Sequence, residues 1–238
     1  MPRLLSIVIP VRNDAVPLAA LLEHLTTHYG VSGLAPCRDL FEIIVVDGAS
    51  SDGSGEVARR AGVDLVLLSP AGRGRQLALG SARARGDLIW FLHADSRPEP
   101  QCLAALLALP DRPLWGRFDI GLAGTPLLRV VGAFMNARSR LTGIATGDQG
   151  LFVQRELLAA VGGVPPQPLM EDVELSSRLR RLQRPIGLRA RVHTSPRRWL
   201  RRGVARTVLS MWWFRMRYWL GADPARLARA YYPPEQSG

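Results

Sequence analysis

The chain has 238 residues, 47% of them hydrophobic and 21% charged, a balance that suits a folded globular chain and excludes disordered and collagen-like ones. No apolar run reaches the roughly 18 residues that cross a bilayer, the first residues lack a signal-peptide pattern, and Cys37 and Cys102 are too few for a disulfide framework or a zinc site, so a cytoplasmic protein is expected. The formal charge is +11, from 31 arginines and no lysine against 20 acids. Its distribution is uneven: residues 1–119 hold 12 Arg and 13 acids, while residues 120–238 hold 19 and 7. An anionic partner is therefore expected for the second half; with no RNA-reading motif present, that partner is not nucleic acid.

Leu4–Pro10 is a continuous apolar run, the pattern of a strand buried on both faces. Asn13 and Asp14 offer a helix start, and Leu18, Leu21, Leu22 and Leu25 form one face of an amphipathic helix. Strands follow at Glu42–Val46, Asp64–Leu68 and Asp87–Leu92, with helices expected over Gly53–Ala61 and Gln76–Arg85. Four βα units in succession predict an α/β fold with a mostly parallel sheet and helices on both faces. Beyond Pro100 the spacing predicts helices over Gln101–Leu109, Pro126–Leu141 and Glu174–Leu182, the last with Leu175, Leu179 and Leu182 toward the core, and a strand over Leu114–Leu122. A single domain is expected over 1–238. Its parts are a nucleotide-binding half (1–98), an acceptor and catalytic half (99–196) and basic aromatic C-terminal helices (197–238).

In an open parallel sheet, ligands bind beyond the carboxyl ends of the strands. Asn13-Asp14 follows the first strand, Asp47 the second, and His93-Ala94-Asp95 the fourth. Each alone is an ordinary turn former; three at one sheet edge point to a site. Gly72-Arg73-Gly74-Arg75-Gln76 precedes a helix, where glycines and free N–H groups suit a phosphate, although the Lys-Ser/Thr of a P-loop is missing. Glu171 and Asp172 read equally as acids capping a helix start or as catalytic carboxylates.

The order Ser6–Asp14, Glu42–Ser54, Gly86-Asp87 to Asp95, Gly147–Phe152 and Met170–Leu175 resembles the family 2 glycosyltransferases of GT-A fold. Gly72–Gln76, Phe91–Asp95 and Thr194–Trp199 are similar to a small bacterial branch associated with arsenosugar biosynthesis and selenium or radical-SAM neighbourhoods. The resemblance implies sugar transfer from a nucleotide diphosphate donor, UDP-linked, with Mn²⁺ or Mg²⁺ and inversion at the anomeric carbon. It implies nucleotide-sugar contacts at Pro10, Asn13, Asp14, Asp47, Arg73, Gln76, His93, Asp95, Asp148, Gln149, Arg198 and Trp199. It also implies a metal on Asp95, with His193 as a further ligand, and Asp172 as general base supported by Glu171. Two positions depart from the family pattern: Gly48 stands for the second acid of an Asp-Asp pair, and His93 for the first acid of DxD. The softer imidazole favours Mn²⁺ over Mg²⁺. The rivals are a sugar-nucleotide nucleotidyltransferase, whose Gly-rich basic loop after the first strand is missing, and a non-enzymatic anion- or membrane-binding protein.

Val208–Leu220 carries two apolar helical faces, one of Val208, Leu209, Trp212, Trp213, Met216, Trp219 and Leu220, the other of Met211, Phe214 and Tyr218. The second face is expected to meet another subunit, as a homodimer, or the inner surface of a membrane. Only Asp223–Tyr232 is long enough to form a further helix over it.

Overall fold

Every residue of β1 (Leu5–Val11) is buried, as a strand between two helical layers requires. The computed structural model describes residues 4–29, 40–195 and 203–232. The other strands are β2 (Phe41–Asp47), β3 (Leu65–Leu68), β4 (Leu88–Phe91), β5 (Ser96–Pro98), β6 (Trp115–Leu122), β7 (Phe152–Gln154) and β8 (Ile186–Thr194). They form one sheet in the order β3-β2-β1-β4-β7-β6-β8-β5. β1 pairs in parallel with β2 on one side and β4 on the other, while β7 and β5 run against their neighbours. The chain builds outward from β1 to β3 and then returns to β4, so the crevice between β1 and β4 is the topological switch point.

Side-chain alternation sorts the core into two layers. Leu5, Ile7 and Ile9 join Ile43, Val45 and Trp90 beneath α1 (Ala15–Tyr29), α2 (Ser54–Arg60) and α4 (Gln101–Leu107). On the other face, Val8, Ile44, Val46, Ile89 and Phe91 lie beneath α3 (Arg73–Arg83), α6 (Arg155–Ala160) and α7 (Glu171–Leu182). A third cluster joins β6 to α5 (Pro126–Thr142) and α8 (Val204–Trp219), and a fourth joins Leu169 and Phe214 to α9 (Pro224–Tyr231).

Four elements were not anticipated: β5, β7, α6 and β8. The first three are short. β8 is nine residues long and alternates Ile186, Leu188, Ala190 and Val192 inward with Arg189, Arg191 and His193 outward, a period of two that is legible in the sequence. Helix α7 begins at Glu171 rather than Glu174, which puts both acids in its first turn. Leu182, expected in the core, is 55% exposed, because α7 ends there and Gln183 is already extended.

The aromatic helix faces the opposite way from the expectation. Phe214 is 8% exposed, packed on Leu169, Leu227 and the Tyr231 ring, and the Tyr218 hydroxyl donates to Glu174 Oε2 at 2.8 Å. Met211 packs against the β6–α5 cluster. The outward face is Leu209, Trp212, Trp213, Met216, Trp219 and Leu220, with Trp219 84% exposed. The reason is α9: although only eight residues long, it folds back and supplies the layer that covers Phe214.

Candidate active site

The ends of β1 and β2 are held by the turn after Asp47. Asn13 Oδ1 accepts from Ser51 N at 2.8 Å, and Asn13 N donates to Ser50 Oγ at 3.0 Å. Asp52 accepts from Ala15 N and from the Ser54 hydroxyl and backbone N–H. Burial pushes its carboxyl up, but these donors outweigh that and hold it below the usual range. Asp47 accepts from Ser50 N and lies over Gly55. Asn13 and Asp47, both expected to touch the donor, take part in building this turn.

Gln76 is buried, and its amide nitrogen donates to Val11 O and Val46 O, both at 2.8 Å. It ties the diverging ends of β1 and β2 together. A Cβ on Gly48 would sit 2.9 Å from that amide, so the residue standing for the family's second acid is small because Gln76 occupies the space. Gly74, expected to approach a phosphate, instead lies against backbone: its Cβ would meet Gln167 O at 2.4 Å. The Gly-rich segment is the cap and first turn of α3, wedged on the 165–167 loop.

A cavity of about 440 Å³ opens at the switch point, lined by Pro10, Asp14, Arg73, Gln76, His93 and Asp95 and roofed by Ala228 and Tyr232 of the C-terminal region. Six of the expected donor-site residues thus converge. A narrower recess of about 70 Å³ shares Arg73 and His93 with it and continues to Asp148, Asp172 and Arg215. His93 Nδ1 stands 3.1 Å from Asp148 Oδ1. Asp172 Oδ2 accepts from Gly147 N and Oδ1 from Val173 N, both at 2.8 Å. These two backbone donors fix the direction of the carboxylate.

Glu171 is 1% exposed and ion-paired with Arg73 through its Oε1. For Arg73, burial lowers the pKa, but Glu171 first and Asp172 next raise it well above the usual guanidinium value. Glu171 thus holds Arg73 at the junction of the two spaces and has no access to a substrate. Gln149, expected at the donor, is fully buried; its Oε1 accepts from Thr146 N and its Nε2 faces Asn136 Oδ1. It shapes the Gly147–Gln149 turn from behind. Among the described residues, three non-glycine residues have positive φ, Asn13 (49°), Ala49 (60°) and Met170 (63°). One flanks each of the β1, β2 and α7 motifs, the kind of strain that collects at functional sites.

Asp95 lines the main cavity and has no hydrogen-bond or ion-pair partner among the described residues. No group of three His, Cys, Asp or Glu able to hold a metal occurs among the described residues. A lone carboxylate beside a diphosphate-sized space suits a divalent ion held mainly by phosphate oxygens and water. Asp95 also lines a second groove together with His193, whose Nε2 stands 3.4 Å from Glu99 Oε1. Arg198 and Trp199 lie outside the described residues. Sequence reasoning missed Arg215, Met211, Phe214, Tyr231 and Tyr232 as walls of the site; the Met211, Phe214, Tyr218 stripe was its only trace.

Residues 6–114 match the model of the family described as glycosyl transferase family 2. This match runs from β1 to the end of the segment before β6, less than half of the chain. Among curated relatives, the chain is 33% identical over 115 residues to the undecaprenyl-phosphate 4-deoxy-4-formamido-L-arabinose transferase of Aeromonas hydrophila, covering 44% of this chain and 33% of that protein. It is 28% identical over 198 residues to the probable glycosyltransferase YdaM of Bacillus subtilis, covering 73% and 46%. The chain thus spans less than half the length of these two relatives. Its fold is similar to that of Staphylococcus aureus TarS 1–349 in complex with UDP-GlcNAc, at TM-score 0.62, 18% identity and coverage of 80% and 58%. It is likewise similar to the mannosyltransferase PcManGT from Pyrobaculum calidifontis with GDP-Man and Mn²⁺, at TM-score 0.60, 22% identity and coverage of 79% and 56%. The fold is the expected GT-A fold, and the matched family model and both curated relatives are described as glycosyltransferases or sugar transferases.

Proposed function

We propose that this protein transfers a sugar from a UDP-linked donor to an acceptor hydroxyl, with inversion. The observation that carries this reading is the convergence of Asp14, Arg73, His93 and the unpartnered Asp95 on one cavity, with Asp172 in the recess that adjoins it. Structures of similar fold hold UDP-GlcNAc, GDP-Man with Mn²⁺, or UDP with Mn²⁺, which supports a nucleotide-sugar donor here. Asp95, with His93 beside it, would hold Mn²⁺ or Mg²⁺, and the ion would stabilise charge on the departing diphosphate. Asp172, aimed by Gly147 N and Val173 N, takes the acceptor hydroxyl proton as the acceptor oxygen bonds to the anomeric carbon. The bond from that carbon to the diphosphate oxygen breaks, and UDP leaves with the pair. Arg73, kept cationic by Glu171, stands where that charge develops. His193 as a metal ligand, the arsenosugar-type acceptor and the division into three parts at 98 and 196 belong to this reading as its finer elements.

A thermal-shift panel of UDP and GDP with and without Mn²⁺ tests it. UDP at 100 times its dissociation constant should stabilise the native state by about 2.7 kcal/mol. No response to any nucleotide sinks the reading.

The outward face of α8 belongs to the same reading. Leu127, Val130, Phe134 and Leu141 on α5 are exposed beside Leu209, Trp212, Trp213, Met216 and Trp219 on α8, with Phe134 stacked on Trp212 at 6.2 Å. An apolar face of this extent marks an interaction surface. Helices α5 and α8 carry no acid and expose Arg129, Arg206 and Arg217, so a second copy of this face would set arginine against arginine, whereas an anionic bilayer complements it. No helix among the described residues is long and apolar enough to cross a membrane. Co-sedimentation with phosphatidylglycerol vesicles, weakening with salt, is expected; a dimer in sedimentation equilibrium without vesicle binding overturns it.

A further inference from the structure

Helices α5 and α8 pack side by side along an apolar seam of Leu128, Val131 and Met135 against Val204, Val208 and Met211. One turn further along each helix the chemistry changes. Three residues after Met135 stands Arg138, and four after Met211 stands Arg215. Steps of three and four keep to one helical face, so both guanidiniums continue the seam. They meet where it reaches the recess: Arg215 lines that space with Gly147, Asp148 and Asp172.

Nothing in the two helices neutralises them, since neither carries an acid. Arg138 Nε and Nη2 are shut off from solvent and have no hydrogen-bond partner among the described residues. Burial first and the Arg215 charge next push the Arg138 pKa down to about 10, against a smaller opposing pull from Asp172. The recess holds two acids, Asp148 and Asp172; Asp148 Oδ1 faces His93 Nδ1 at 3.1 Å, and both Asp172 oxygens already accept backbone N–H groups. Two converging cations, one with buried unbonded N–H groups, are costly unless an anion joins them. The donor cavity has Arg73 as its own cation; Arg215 does not line that cavity, and opens instead beside the carboxylate that would take the acceptor proton.

We propose that Arg138 and Arg215 form an anion subsite that holds a phosphate or carboxylate group of the acceptor, next to Asp172. The assignment of this anion to the acceptor rests on the glycosyl-transfer reading. It makes the acceptor a hydroxyl compound that bears an anionic group within a few bonds of the reacting oxygen. The subsite then orients that hydroxyl toward Asp172 and selects against neutral acceptors.

Calorimetric titration of the full chain with two probes, UDP and inorganic phosphate, tests this in wild type, Arg138→Gln and Arg215→Gln. Phosphate should bind wild type, with and without saturating UDP and Mg²⁺, and its affinity should fall at least tenfold in each variant. UDP affinity should stay within twofold of wild type in both. Equal phosphate affinity in all three proteins overturns the subsite. A matching loss of UDP affinity in the variants overturns its assignment to the acceptor, because the arginines then serve the donor diphosphate. If wild type binds phosphate through these arginines yet ignores UDP, the glycosyl-transfer reading fails while the anion site stands. The melting temperature keeps the result readable should one variant fold poorly. Without phosphate, removal of an uncompensated cation should leave it equal or higher, and the rise caused by phosphate should disappear; a lower melting temperature with the phosphate-induced rise intact makes the arginines structural and overturns the proposal.

Discussion

Glu42, in the nucleotide half, and Arg138, near the C-terminal helices, are both ionisable groups drawn out of solvent, and their surroundings are opposite. Glu42 is 3% exposed and accepts from Ser6 Oγ at 2.5 Å, Arg85 N at 2.5 Å and Arg85 Nε at 2.8 Å. Burial pushes its carboxyl up, yet these partners outweigh burial and hold it below the ordinary value. Arg138 has two buried nitrogens with no partner and another arginine as its electrostatic neighbour. Around Glu42 the buried polar groups are thus satisfied by the chain itself. Around α5 and α8, buried guanidinium nitrogens and exposed aromatic rings have no complement among the described residues. The difference teaches that a charge drawn out of solvent is answered locally at β2 and left open where the two helices meet.

The largest effect expected is at the junction of the two regions. Asp172→Asn should lower turnover of donor by about 10² or more while leaving UDP affinity close to wild type. A variant with normal turnover but reduced stability would make Asp172 a helix cap only. Next come two substitutions that test whether each region is a folded core. Glu42→Ala strands Ser6 Oγ and the Arg85 and Gly86 N–H groups and should cost about 3 kcal/mol in urea unfolding. Phe214→Ala, on the inward face of α8, should cost about 3 kcal/mol as well; if it costs nothing, the helix does not pack as described.

Acidification separates the halves further. The folded pKa of Glu42 is depressed, so its contribution to stability is complete above the unfolded value of 4.5 and is lost as pH falls through the folded value. Wild type should therefore lose stability steeply below pH 4.5, and Glu42→Ala should show a shallower decline there. A smaller effect is expected at Asp95. Asp95→Asn should keep the melting temperature and weaken Mn²⁺-dependent UDP binding by about tenfold, or 1.4 kcal/mol; equal metal-dependent affinity removes Asp95 from the metal site. The smallest is at Trp219, 84% exposed: Trp219→Ala should change stability by less than about 0.5 kcal/mol yet reduce vesicle binding.

The sheet-edge motifs were legible because their signals are local. Buried strands such as Leu5–Val11 announce themselves by unbroken apolar runs, and Asp14, His93 and Asp95 reach the cavity simply by following strand ends. Asn13, Asp47 and Gln149 follow equally sound patterns, but which side of a turn a side chain occupies depends on the neighbouring loop, and each is absorbed into its scaffold. Similarly, Gly48 looks like a lost acid until Gln76, from another helix, is seen in its space.

What the sequence by itself determined is the α/β order, the switch point between β1 and β4 and the acids gathered there, since periodicity and turn chemistry act over a few residues. What only the tertiary structure decided is the orientation of α8 and the meeting of Arg138 with Arg215. Both faces of α8 are apolar, so its own periodicity does not say which turns inward. The choice falls to α9 and the 165–170 loop, which bury Phe214 and leave Trp212 and Trp219 outside. A contact between two helices far apart in the chain is a property of packing, and packing is set by which surfaces remain to be covered once the sheet has formed.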